Sequence, residues 1–117
     1  WLSAKAYESK QMYERAIESM GKAIVILKEK ELFAGMVDAM SFCGQLCAKL
    51  NEFGKAADYF YRAAVSAQVQ GLREEAKSNF ENAQDFAEKD GNAELITVIN
   101  KHVAELNIID RDNNESL

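Results

Sequence analysis

The sequence predicts an all-α fold. Three observations carry that prediction: the 117-residue chain has no proline, it is rich in helix formers, and its apolar positions recur at helical spacing within a forty-residue period. Six glycines are the only strong helix breakers, so long helices can run uninterrupted. Val, Ile and Thr do not alternate at the two-residue period of a strand. Apolar residues make up 48% of the chain, enough for a core, and the length suits one domain.

The period is visible position by position. Ala16, Ala56 and Ile96 align, as do Ala23, Ala63 and Val103. Met20 aligns with Phe60, Met40 with Phe80, Cys43 with Ala83, and Cys47 with Ala87. Each forty-residue block reads as two helices. The first block predicts helices over 2–10 and 12–30. The second predicts 32–50 and 53–70, separated by the turn-prone stretch Asn51–Gly54. The third follows Gly71 and predicts 72–90 and 93–107, separated by Asp90-Gly91-Asn92. In that last helix Leu95, Ile96, Ile99, Val103 and Leu106 form one apolar stripe. The expected organisation is a repeat domain over 1–107, divided as 1–30, 31–70 and 71–107, followed by a polar, frayed tail over 108–117.

Residues 37–70 resemble a tetratricopeptide repeat. Gly44, Phe53, Ala56, Phe60 and Ala63 carry the resemblance, standing at the spacing that family uses for small and aromatic positions. The first block keeps Tyr13, Ala16, Met20 and Ala23, and the third keeps Ala83 and Ala93. The usual proline after the second helix of each repeat is missing, and the period is forty where the family has thirty-four. The longer helices are similar to those of soluble NSF-attachment proteins. The resemblance spans residues 2–107 and implies antiparallel hairpins stacked as a right-handed solenoid of about three repeats. Elementary packing agrees: Gly44 gives up about 1 kcal/mol of helix propensity, which is tolerable where a neighbouring helix must come close.

Charge and composition narrow the function. The net charge of −5 is uneven: residues 1–30 carry six Lys/Arg against four Asp/Glu, and residues 71–117 carry five against eleven. No basic stripe exists to hold phosphates, so nucleic acid is not an expected partner. The longest apolar run, Ala23–Leu27, is far short of the roughly 18–20 residues that span a bilayer, so no membrane insertion is expected. Cys43 and Cys47 share one helical face and read as reduced core residues, which points to an intracellular, cytoplasmic setting. The opening at Trp1, with no Met and no capping residue, reads as a piece of a longer protein.

No catalytic constellation, metal site or cofactor motif is found. The single histidine, His102, has only Glu105 as a helical neighbour able to join it as a ligand. There is no Gly-rich phosphate loop and no nucleophile with a base beside it. Asn114-Glu115-Ser116 matches a glycosylation sequon by chance in a chain of reduced cysteines. The expected activity is therefore binding and not catalysis. The resemblance implies a concave groove lined by the first helix of each repeat: Lys5 and Glu8, then Asp38, Ser41, Gln45 and Lys49, then Ser78, Glu81, Asp85 and Glu88. Phe42 and Asn82 fall where family members that clamp a terminal carboxylate carry an asparagine, and acidic neighbours surround Asn82. The acidic stripe on 78–88 suits a basic or amphipathic peptide or helix of another protein. Adjacent repeats of a parent chain could also occupy the groove. The alternative implied by the resemblance is a vesicle-trafficking adaptor that embraces a helical bundle lengthwise.

Overall fold

The computed structural model describes residues 2–115, with side chains from 9 to 108. It consists of five helices: α1 (Leu2–Glu29), α2 (Phe33–Lys49), α3 (Phe53–Val69), α4 (Arg73–Asp90) and α5 (Ala93–Glu115). Among the described residues there is no strand. Each helix packs against the next along the chain. Side chains also join alternate helices. The Ser41 hydroxyl on α2 donates to Asn79 Oδ1 on α4 at 2.6 Å, and His102 on α5 meets Tyr61 and Gln68 on α3. The even-numbered helices therefore form one side of the molecule and the odd-numbered helices the other. The result is elongated, 60 × 35 × 21 Å.

The connections repeat every twenty residues, half the period read from sequence. Glu31, Asn51, Gly71 and Gly91 all have positive φ, between 59° and 76°. At each, the amide of the following residue bonds the carbonyl five positions back: Leu32 to Leu27, Glu52 to Cys47, Leu72 to Ala67 and Asn92 to Ala87. The amide of the positive-φ residue itself bonds the carbonyl three back, as in Glu31 to Lys28 and Gly91 to Glu88. This is the Schellman arrangement, which satisfies the orphan carbonyls at a helix end. The carbonyl of the residue after the turn then accepts the first bond of the next helix, from Met36, Ala56, Ala76 and Ile96. Asn92 adds a side-chain cap, its Oδ1 accepting from the Leu95 amide at 3.1 Å.

Two boundaries differ from the sequence expectation. Helix α1 is unbroken where a turn was expected at Gln11. No Gly, Asn or Asp lies near that point to ease the chain into a left-handed residue, and a Lys10–Glu14 pair at i, i+4 spans it. Helix α5 runs to Glu115, beyond the expected end at 107, because nothing from Asn107 to Glu115 is a strong breaker.

Small residues let the helices approach. Ala56, Ala57, Ala63, Ala64 and Ala67 on α3 are fully buried, and so are Ala76, Ala83 and Ala87 on α4. Larger groups fill the spaces between. Phe60 stacks on Phe86 with centroids 5.6 Å apart, and Phe86 stacks on Phe53 at 5.9 Å. Gly44 of α2 lies against the Phe60 ring so closely that a Cβ would stand 2.8 Å from Phe60 Cε2. Gly21 of α1 is the opposite case: a Cβ there would meet nothing within 4 Å.

The two glycines are expected to respond with opposite signs in denaturant titrations. Gly21→Ala should stabilise by up to about 1 kcal/mol through helix propensity alone. Gly44→Ala should destabilise, because Phe60 is held between Gly44 and Phe86 and overpacking costs about 1–3 kcal/mol. Ala63→Leu, at a fully buried position, should cost a similar amount, and a neutral result would contradict the observed register.

Candidate functional site

The expected groove on the even-numbered side is only partly assembled. Ser41 and Gln45 from α2 and Ser78 from α4 do line one concavity of about 280 Å³, together with Phe60, Glu74, Glu75, Asn79 and Asn82. Asn79 is buried and ties the two helices together, accepting from Ser41 and donating from Nδ2 to the Glu75 carbonyl at 2.8 Å. Asn82 and the carboxylates of Glu74 and Glu75 therefore surround a polar cleft on a rigid floor.

The other expected residues lie elsewhere. Lys49 turns toward α1, its ammonium 5.5 Å from the centre of the Tyr13 ring. Glu81 lines a separate recess of about 300 Å³ with Lys77, Val103, Leu106 and Asn107, on the α5 side of α4. Asp38, Asp85 and Glu88 are exposed. Lys5 and Glu8 lie outside the described side chains. The acidic groups at the α2/α4 cleft are thus Glu74 and Glu75, with Glu81 facing away. Helical spacing groups residues 78, 81, 85 and 88 on one face, but that face is wide enough to straddle two neighbouring helices.

A larger concavity than the α2/α4 cleft was not foreseen. About 830 Å³ opens between α1 and α3 over α2, lined by Ile24, Val25, Lys28 and Glu29, by Met36 and Met40, and by Tyr61, Arg62, Val65 and Ser66. Ile24, Met36 and Met40 form a buried floor, while Val25 is 56% exposed. One sequence signal did point here. The apolar run Ala23–Leu27 is hydrophobic all round, so no single buried stripe accounts for it.

No family model, curated protein or solved structure matches the chain.

His102 is built into the packing between α3 and α5. Its ring stacks on Phe80 with centroids 5.2 Å apart, and Nε2 lies 3.3 Å from the Tyr61 hydroxyl. Nδ1 lies 3.2 Å from Gln68 Oε1. With its proton on Nδ1, the neutral ring donates to Gln68 and accepts from Tyr61, so both nitrogens are engaged. Glu105, its one possible co-ligand, is exposed. Among the described residues, no three His, Cys, Asp or Glu side chains gather where they could hold a metal ion.

Cys43 and Cys47 are free thiols buried against α3. Burial raises both pKa values. Cys47 is pushed up to about 11, with Glu52 and Cys43 adding to burial and Lys55 opposing it. For Cys43, Arg62 offsets part of the rise. Since the thiolate is the nucleophile, native-state labelling by a thiol reagent at pH 8 is expected to be slow and to accelerate only on unfolding. The pKa of a buried thiol is higher folded than unfolded, so its contribution to stability is intact below the ordinary value of 9.0 and lost as pH rises toward about 11. Melting temperature should accordingly fall over that window, and less steeply in Cys43→Ala/Cys47→Ala.

Proposed function

We propose that this chain is a tetratricopeptide-like repeat scaffold that holds a peptide or helical segment of another protein. Helices packed in sequence order, alternate helices in contact and a uniform turn every twenty residues all support a solenoid reading. In such arrays neighbouring units bury one another's apolar faces and leave the remaining faces free for binding. The observation that carries the reading is the cleft between α2 and α4, where Ser41, Gln45, Ser78 and Asn82 stand beside Glu74 and Glu75.

That arrangement suits an extended or helical segment with basic side chains. Asn82 and Gln45 offer both donors and acceptors to a peptide backbone, and two adjacent carboxylates attract Lys or Arg. The binding site is preorganised, because Asn79 fixes the floor through its bonds to Ser41 and Glu75.

Charge reversal at the cleft tests the reading. A native partner that crosslinks to a photoreactive residue introduced at Ser78 should be lost from Glu74→Lys/Glu75→Lys. It should also be captured less well at about 0.5 M salt than at about 0.05 M, because screening shortens the reach of surface charge. Both residues are exposed in the first turn of α4, where carboxylates favour the helix N-terminus, so melting temperature should fall modestly and capture is compared well below it. Undiminished crosslinking by the double variant would exclude the cleft.

A further inference from the structure

We propose that the groove between α1 and α3 is a second binding site, which receives an aromatic side chain flanked by carboxylates from a partner protein. The chain contains its own template for this. The gap between α3 and α5 lies one forty-residue period further on and is closed by Tyr61, Gln68, Phe80 and His102. Forty residues earlier, the corresponding positions are Gly21, Lys28, Met40 and Arg62. Three of those four line the open groove. The fourth, Gly21, has open space where the Tyr61 ring stands in the later gap.

Each replacement removes part of the plug. Glycine supplies no ring. Met40 offers a flexible thioether in place of the Phe80 ring, and methionine adapts well to an incoming aromatic. Arg62 pairs with Asp58, 3.8 Å away, and its guanidinium lies over the Tyr59 ring of its own helix at 5.6 Å, whereas His102 stacks across the seam on Phe80. The group lost outright is the Tyr61 ring, and one aromatic side chain laid over Ile24, Met36 and Met40 would restore it.

Charge specifies what flanks the ring. Across the closed gap, Gln68 and His102 bond to each other at 3.2 Å. Their counterparts, Lys28 and Arg62, are both cations and cannot bond each other. A carboxylate entering the groove would pair with Lys28 and compete with Asp58 for Arg62. Among the described lining residues Lys28 and Arg62 stand against Glu29, one net positive charge that the Asp58 paired with Arg62 partly offsets. This site differs in sign, polarity and side of the molecule from the acidic α2/α4 cleft.

The probe is a blocked peptide carrying one Phe between glutamates, followed through the methyl resonances of Met36 and Met40. Binding should shift both methyls, with those shifts lost when the Phe is replaced by Ala and reduced several-fold when the glutamates are replaced by lysine. Gly21→Tyr should plug the groove as Tyr61 plugs the next, raising the melting temperature and weakening the peptide at least tenfold. Val25→Glu changes an exposed wall residue and should weaken the peptide without altering the fold. Glu74→Lys/Glu75→Lys should leave this binding intact, so either site can fail alone. The proposal is overturned if the Ala peptide binds as well as the Phe peptide, or if neither Gly21→Tyr nor Val25→Glu weakens binding. It is equally overturned if the shifts appear at Ser41 and Asn82, or if the groove proves to be occupied by a second copy of the chain in solution.

Discussion

The close approach of α3 to both its neighbours is the contact on which the rest of the molecule depends. Helix α3 presents alanine at 56, 57, 63, 64 and 67, all without exposed surface. Such a face has almost no side-chain relief, so α2 and α4 settle near its backbone. The large groups that remain, Phe60 from α3 and Phe86 from α4, must then find room in the few hollows this leaves. Gly44 provides one hollow by omitting a Cβ that Phe60 would strike. Core density is achieved by pairing rings with absences, and few alternative packings of the same residues exist.

Close approach would fail if successive helices entered at different angles. The turns prevent this. Four connectors with the same two hydrogen bonds and the same left-handed residue deliver each helix to its neighbour in one register. Buried positions consequently recur at twenty-residue intervals: Met36, Ala56 and Ala76; Met40, Phe60 and Phe80; Cys43, Ala63 and Ala83; Cys47, Ala67 and Ala87. Glu31 adopts the turn conformation without being glycine or asparagine, at a cost of about 1 kcal/mol or more. There tertiary contact overrides the local preference, while Asn51, Gly71 and Gly91 suit the left-handed position themselves.

This explains which features were legible beforehand. The boundaries of α2, α3 and α4 were readable because Asn51, Gly71 and Gly91 are turn residues in their own right. The burial of Cys43 and Cys47 followed from their helical spacing. The continuity of α1 was not legible, since the forty-residue period placed a turn at Gln11 and periodicity alone does not reveal where an array stops turning. The binding face was the least legible. The sequence groups residues by helix face, whereas a cleft is made by two helices at once. Ser78 and Glu81 share a face of α4 yet border different neighbours, α2 and α5.

Turns that recur every twenty residues allow a comparison that most folds do not, because each gap between alternate helices can be measured against another gap in the same chain. Where residues agree across the period they serve packing, as the alanines do. Where they disagree, one unit has been released from the packing rule. The change from Tyr61, Gln68, Phe80 and His102 to Gly21, Lys28, Met40 and Arg62 alters every member of an interacting group together, not one position at random. The four changes leave a groove open above the buried floor of Ile24, Met36 and Met40, where the later seam is filled. Retaining such a seam beside one that is filled is consistent with an occupant supplied from outside the chain, and the filled seam states the size, shape and polarity that occupant should have.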